Sequence, residues 1–244
     1  MTAAVPESTA GPSGPTGQTK RLLNPDSLEP AKTLALRWIA PRLAGRGRAG
    51  HVALTFDDGP DPASTPAFLE ELDRLGWRAT FFMLGTMASR HPSLAAEVLA
   101  AGHEIGSHSF SHASQYLGRP AVVRSDVERG HDAVAEACGQ EPKWFRPPYG
   151  SVSVAGIRAA AGRGMRTVIW TACGQDWRAD STPDTVMHRL RRTFTGGATV
   201  LLHDSDCVAA PLAWKSTLGA LPRLAELAAE RGLQVGPLGD HGLR

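Results

Sequence analysis

His108 and His112 stand four apart in the run HSFSH, a spacing that on a helical turn, or on a loop of similar geometry, lets both imidazoles reach one cation. Nine histidines in 244 residues give ~0.3 such pairs by chance, so the spacing needs a third ligand before it carries meaning. Asp57 and Asp58, adjacent in TFDDGP, supply the candidate. Two neighbouring carboxylates at the end of an apolar run repel each other and are costly to desolvate unless a cation and a counter-charge hold them. Two imidazoles and one carboxylate leave positions open for water and substrate, a donor set that suits Zn²⁺ and equally Fe, Co or Ni. Taken singly, the acids also read as turn and capping residues before Gly59 and Pro60, and the histidines as a surface pair.

What sets these residues apart is where the chain puts them. From residue 51 onward, short β-rich runs alternate with amphipathic stretches, the pattern of parallel strands joined by crossover helices. Strands are expected over 51–56, 79–84, 103–106, 143–145, 167–171, 199–202 and 233–235. The expected fold class is α/β, a barrel of seven parallel strands with incomplete closure. Asp57 and Asp58 follow the first run, His108 the third and Arg146 the fourth; Asp176 comes soon after the fifth, and His203 closes the sixth. In a parallel barrel those carboxyl ends open on one face, where active sites are built.

The helices between carry their own punctuation. Thr65 is expected to cap a helix beginning at Pro66, with Phe68, Leu69, Leu72 and Leu75 inward and Gly76 at its end. Thr182 and Pro183 repeat that opening before Val186, Met187, Leu190 and Phe194, and Val123, Val127, Val134 and Cys138 form the stripe after Pro120. These stripes are core.

At 244 residues the chain suits one catalytic domain, expected over 51–244. Residues 1–20, rich in Ala, Pro, Gly, Ser and Thr, read as a disordered tail, and 21–50 as an amphipathic segment packed on the domain. The formal charge is +2 with no basic block interleaved with aromatics, so nucleic acid is not an expected partner. No apolar run reaches membrane-spanning length, and no secretory signal is recognisable. Cytoplasmic residence with reduced Cys138, Cys173 and Cys207 is the expectation, with export by a non-standard route left open. Oligomeric state is not legible.

The chain resembles the polysaccharide deacetylase (NodB-homology) carbohydrate esterases, whose motifs occur in order as TFDDGP (55–60), HSFSH (108–112), RPPYG (146–150), DW (176–177) and LLH (201–203). The resemblance covers about 51–238 and implies a distorted (β/α) barrel and removal of N- or O-acetyl groups from an amino-sugar substrate such as a chitin-type or peptidoglycan-type oligosaccharide. It implies a single divalent metal, zinc first with Co, Ni, Fe or Mn as others, held by Asp58, His108 and His112. Asp57 would be the base, paired with Arg146; His203 would be the general acid, kept protonated by Asp176; Ser109 would brace the second motif. The backbone N–H of Tyr149 would face the oxyanion, and Trp177 and Leu201 would line the acetyl pocket. The family also includes enzymes acting on small amides and formamides, so a small acylated amine or a lipid-linked sugar precursor is the alternative substrate. A silent carbohydrate-binding protein is a further alternative. One departure is Cys173, where the family often has an acid; the remaining histidines, at 51, 91, 103, 131, 188 and 241, match no motif and read as surface or structural.

Overall fold

The computed structural model describes residues 40–116 and 118–243. The expected tail, and the expected segment as far as residue 39, lie outside them. In chain order the elements are α1 (Pro41–Ala44), β1 (His51–Asp57), α2 (Thr65–Arg74), β2 (Thr80–Met83), α3 (Gly85–Arg90), α4 (Pro92–Ala100), β3 (Glu104–Ser107) and α5 (Pro120–Cys138). Then come β4 (Trp144–Phe145), α6 (Val154–Gly162), β5 (Arg166–Thr167), β6 (Ala172–Cys173), α7 (Pro183–Leu190), β7 (Thr199–His203), α8 (Trp214–Glu230) and β8 (Gln234–Gly236).

The strands form one parallel sheet ordered β5-β4-β3-β2-β1-β7-β6, with β8 also paired to β1. β1 is central. β7 runs along one of its edges from Ala53 to Asp57, while β8 and β2 share the other, at His51–Ala53 and Thr55–Asp57 respectively. Alternation then sorts its side chains. Val52, Leu54 and Phe56 point outward into the main core with Phe68, Leu72, Leu190, Leu221 and Leu224 of the surrounding helices. Ala53 points inward with Phe82, Trp144, Val168 and Leu238.

Of the run expected as one strand at 167–171 only Thr167 lies in a strand; residues 168–171 lie in none, and two short strands, β5 and β6, flank them. β5 pairs with β4 and β6 with β7, at opposite ends of the sheet. The residues between have their main-chain groups claimed elsewhere: Ile169 N–H donates to Leu43 O (2.8 Å), Thr171 N–H to Thr199 O (2.9 Å), and Ile169 O accepts from Arg146 Nη2 (3.1 Å). The five steps from Thr167 to Ala172 span at most ~18 Å, so the sheet's two ends must curl toward each other. The result is an incompletely closed barrel. The described end of the N-terminal segment covers its seam: besides the Leu43 bond, Gly45 O accepts from Thr199 Oγ1 (2.6 Å) and Gly47 N–H donates to Gly197 O (3.1 Å).

Two helix starts differ in kind. Thr182 caps α7 in a reciprocal box with Thr185, as the sequence indicates. Thr65 does not cap α2: it is the first helical residue, and its hydroxyl reaches instead to the buried Asp204. Propensity cannot reveal that long-range bond. Among the described residues, no helix is long and apolar enough to cross a membrane.

Candidate active site

Successive residues of a strand face opposite ways, so Asp57 and Asp58 should diverge. They converge because Asp58 adopts a left-handed backbone, φ 79°, just past β1. Both carboxylates are buried. Asp57 Oδ1 accepts from Arg146 Nη1 at 2.7 Å, and the same Nη1 donates to Thr55 Oγ1 at 2.8 Å. Arg146 is fully enclosed in the barrel, its guanidinium 4.1 Å from the centre of the Phe82 ring. Burial pushes the Asp57 carboxyl up, and Arg146 opposes that push.

The loop after β3 brings in the histidines. His108 Nδ1 donates to Arg146 O at 2.8 Å, which fixes the neutral tautomer with its Nε2 lone pair free. That Nε2 lies 3.6 Å from Asp58 Oδ1, and His112 Nε2 lies 3.4 Å from the same oxygen. Burial holds both imidazoles neutral, lowering each to about 3. For His108 the contact is therefore a lone pair facing a carboxylate oxygen. Asp58 Oδ1 is buried and accepts no hydrogen bond. The three donor atoms lie within 4.8 Å of one another, and a divalent cation would satisfy all of them.

Ser109 and His112 also take left-handed backbone angles, φ 67° and 58°. The expected brace by Ser109 is made by its backbone, whose carbonyl accepts from Gly85 N–H at 2.9 Å; its hydroxyl has no protein partner. The loop rests on α5 at Gly130, where a Cβ would come 2.3 Å from the Ser109 carbonyl carbon.

Opposite this cluster stands His203, the last residue of β7. Its Nδ1 donates to Asp176 Oδ1 at 2.8 Å and its backbone N–H to Asp176 Oδ2 at 2.7 Å, while Thr217 also donates to Asp176. Its Nε2 lies 3.8 Å from Asp58 Oδ2. Burial alone would depress this imidazole, but Asp176 and then Asp58 and Asp57 outweigh it and raise it to about 10. His203 is a protonated donor at neutral pH, beside two imidazoles held neutral.

Asp57, Asp58, His108, His112, Tyr149, Trp177, Leu201 and His203 line one cleft of about 200 Å³. Arg146 and Asp176 lie behind it, each bonded to a lining residue. Tyr149 is left-handed at φ 57°, and its exposed ring packs edge-on against His112, 4.5 Å between centroids. Trp170 and Val208 also line the cleft and carry no motif. Trp170 was concealed inside the run read as a strand, and Val208 sits in a loop without punctuation. Asp204 was missed too, although it directly follows LLH. His51, His103, His131 and His241 are buried away from the cleft, and His51 and His241 pair at 2.9 Å between Nδ1 atoms.

A parallel α/β barrel with three convergent donors for a cation, a held carboxylate and a raised imidazole at its carboxyl face defines a class by its chemistry, the groups that metal-assisted hydrolysis uses. The chain belongs to the polysaccharide deacetylase family, whose model matches residues 44–168. It is 33% identical over 195 residues to a chitooligosaccharide deacetylase of Bradyrhizobium, covering 77% of this chain and 88% of that one. A peptidoglycan-N-acetylglucosamine deacetylase of Bacillus cereus is 36% identical over 155 residues, 63% of this chain and 72% of the relative. Among solved structures, a family 4 carbohydrate esterase pseudoenzyme of Bacillus anthracis superposes with a TM-score of 0.72 at 27% identity, covering 80% of this chain and 67% of that one.

Proposed function

We propose that the protein is a metal-dependent deacetylase that removes N-acetyl groups from an amino-sugar oligosaccharide of chitin or peptidoglycan type. The observation that carries this reading is the meeting of Asp58 Oδ1, His108 Nε2 and His112 Nε2 within 4.8 Å, beside a second carboxylate held by Arg146. A divalent cation bound there, zinc by preference with Co, Ni, Fe or Mn as other candidates, would acidify water and polarise the acyl carbonyl.

The chain's own residues do the rest. Arg146 occupies Asp57 Oδ1, which leaves Oδ2 to take the proton of the attacking water. Tyr149, left-handed at the cleft, offers its backbone N–H to the developing oxyanion. His203 donates from Nε2 to the leaving nitrogen, since Asp176 occupies its Nδ1. Trp170, Trp177 and Leu201 pack into one apolar wall, which suits the methyl of an acetyl group.

The test is an acetate-release assay with added Zn²⁺ or Co²⁺ across chitin oligomers, peptidoglycan fragments and small acylated amines. Release from the glycans that stops with chelator supports the proposal. Release from small amines alone assigns the substrate to that class instead, in keeping with the cytoplasmic setting expected from the sequence; cell fractionation checks that setting. The likeness to a pseudoenzyme raises a silent glycan-binding role, but this chain fills every position named for base, ligand and acid. Glycan binding without turnover under any metal would decide for that role.

A further inference from the structure

We propose that Asp204 is a positioning residue for the metal ligand Asp58, a role that rests on the metal reading above and deepens it. Asp204 follows His203 and is fully buried beneath the turn that carries Asp58. Gly59 lies so close that a Cβ there would come within 2.2 Å of Asp204 Oδ2. The same oxygen accepts from Thr65 Oγ1 at 2.5 Å, and Thr65 Oγ1 in turn accepts from Asp61 N–H at 2.8 Å. Ser64 Oγ donates to Asp204 O at 2.6 Å, and Ser205 Oγ to Asp61 Oδ2 at 2.9 Å.

These bonds clamp the 61–65 end of the turn onto the segment after β7, and the close approach of Gly59 seats the other end against Asp204. A left-handed aspartate is uncommon and persists where its surroundings over-determine it. Main-chain bonds fix the near side of the turn: Asp58 N–H donates to Phe82 O (3.2 Å) and Leu84 N–H to Gly59 O (3.0 Å). Asp204 and its hydroxyl partners fix the far side. Without that clasp Asp58 would be free to relax toward an ordinary strand angle, which turns its carboxylate away from the histidines. Since β7 also ends in His203, a single strand end sets the proton donor and, through Asp204, the ligand opposite it.

The experiment measures Zn²⁺ affinity calorimetrically, and the Co²⁺ absorption spectrum, for wild type, Thr65→Val, Thr65→Ser, Ser64→Ala and Asp204→Asn. The melting temperature of each chain is recorded in chelator. Thr65→Val keeps the side-chain shape and removes the hydroxyl; we expect it and Asp204→Asn to weaken Zn²⁺ binding by ~10–100-fold and alter the Co²⁺ spectrum, with Thr65→Ser restoring both. Unchanged affinity in Thr65→Val overturns the proposal. So does a loss of affinity that merely tracks a loss of metal-free stability across the series. Should Asp204→Asn not fold, the Thr65 and Ser64 variants decide alone. A wild-type chain that binds neither ion removes the metal reading itself, and this role with it.

Discussion

His203 and the pair His108 and His112 are the same residue type in one cleft, yet they hold opposite protonation states. Burial acts on all three, and only His203 has a carboxylate bonded to its ring. Because its folded value is raised, the pair's contribution to stability is whole below 6.5 and is lost as pH rises through about 10. Asp176→Asn should therefore move the alkaline limb of the kcat profile down by ~1–3 pH units, measured as acetate release from pH 6 to 11. An unmoved limb would remove His203 from the acid role. Arg146→Met leaves Asp57 buried without its counter-charge, and urea denaturation should show a loss of ~3–5 kcal/mol. At this scale the sequence was informative where a residue sits at a strand end, as His203 does. It was silent where a backbone angle turns the side chain, as at Asp58, or where a distant hydroxyl binds it, as at Asp204.

Elements place these residues through contacts that composition does not encode. Gly130 lies inside α5, where Gly→Ala ordinarily stabilises a helix by ~1 kcal/mol. Here the added methyl would meet the Ser109 carbonyl, so Gly130→Ala should destabilise by ~1–3 kcal/mol. It should also lower Zn²⁺ affinity, by displacing the loop that carries His108 and His112; calorimetry and thermal melts check both effects. A stabilised variant with unchanged affinity would mean that the loop yields freely. The stripes of α2, α5 and α7 were legible because helical periodicity records burial directly. The break between β5 and β6 was not: Val168, Ile169, Trp170 and Thr171 favour strand locally, and partners far along the chain take both main-chain groups of Ile169 and the N–H of Thr171.

For the molecule as a whole, the proposed cation site joins the end of β1 to the loop after β3. In the metal-free chain Asp58 is raised to about 7, mainly by burial. A raised acid stabilises the folded state while protonated, so this contribution is lost as pH rises from 3.8 through about 7. A divalent cation bound by Asp58 would take the proton's place and compete with it. The gain in melting temperature from saturating Zn²⁺ should accordingly be larger at pH 8 than at pH 6, by scanning calorimetry; an equal gain would contradict Asp58 as ligand. The barrel and the order of its strand-end residues were readable from the sequence because parallel β/α alternation leaves few topologies to choose from. Its seam was not.

Residues 40–50 all precede the first motif, TFDDGP at 55–60, and invite removal when the domain is trimmed for expression. They behave as a plug: withdrawing them would leave Ile169 N–H and Thr199 Oγ1 without the carbonyls they now bond. Such an open edge recruits strands from other molecules. A version beginning at His51 should self-associate more readily than the longer one, a difference that light scattering would register before any assay of turnover.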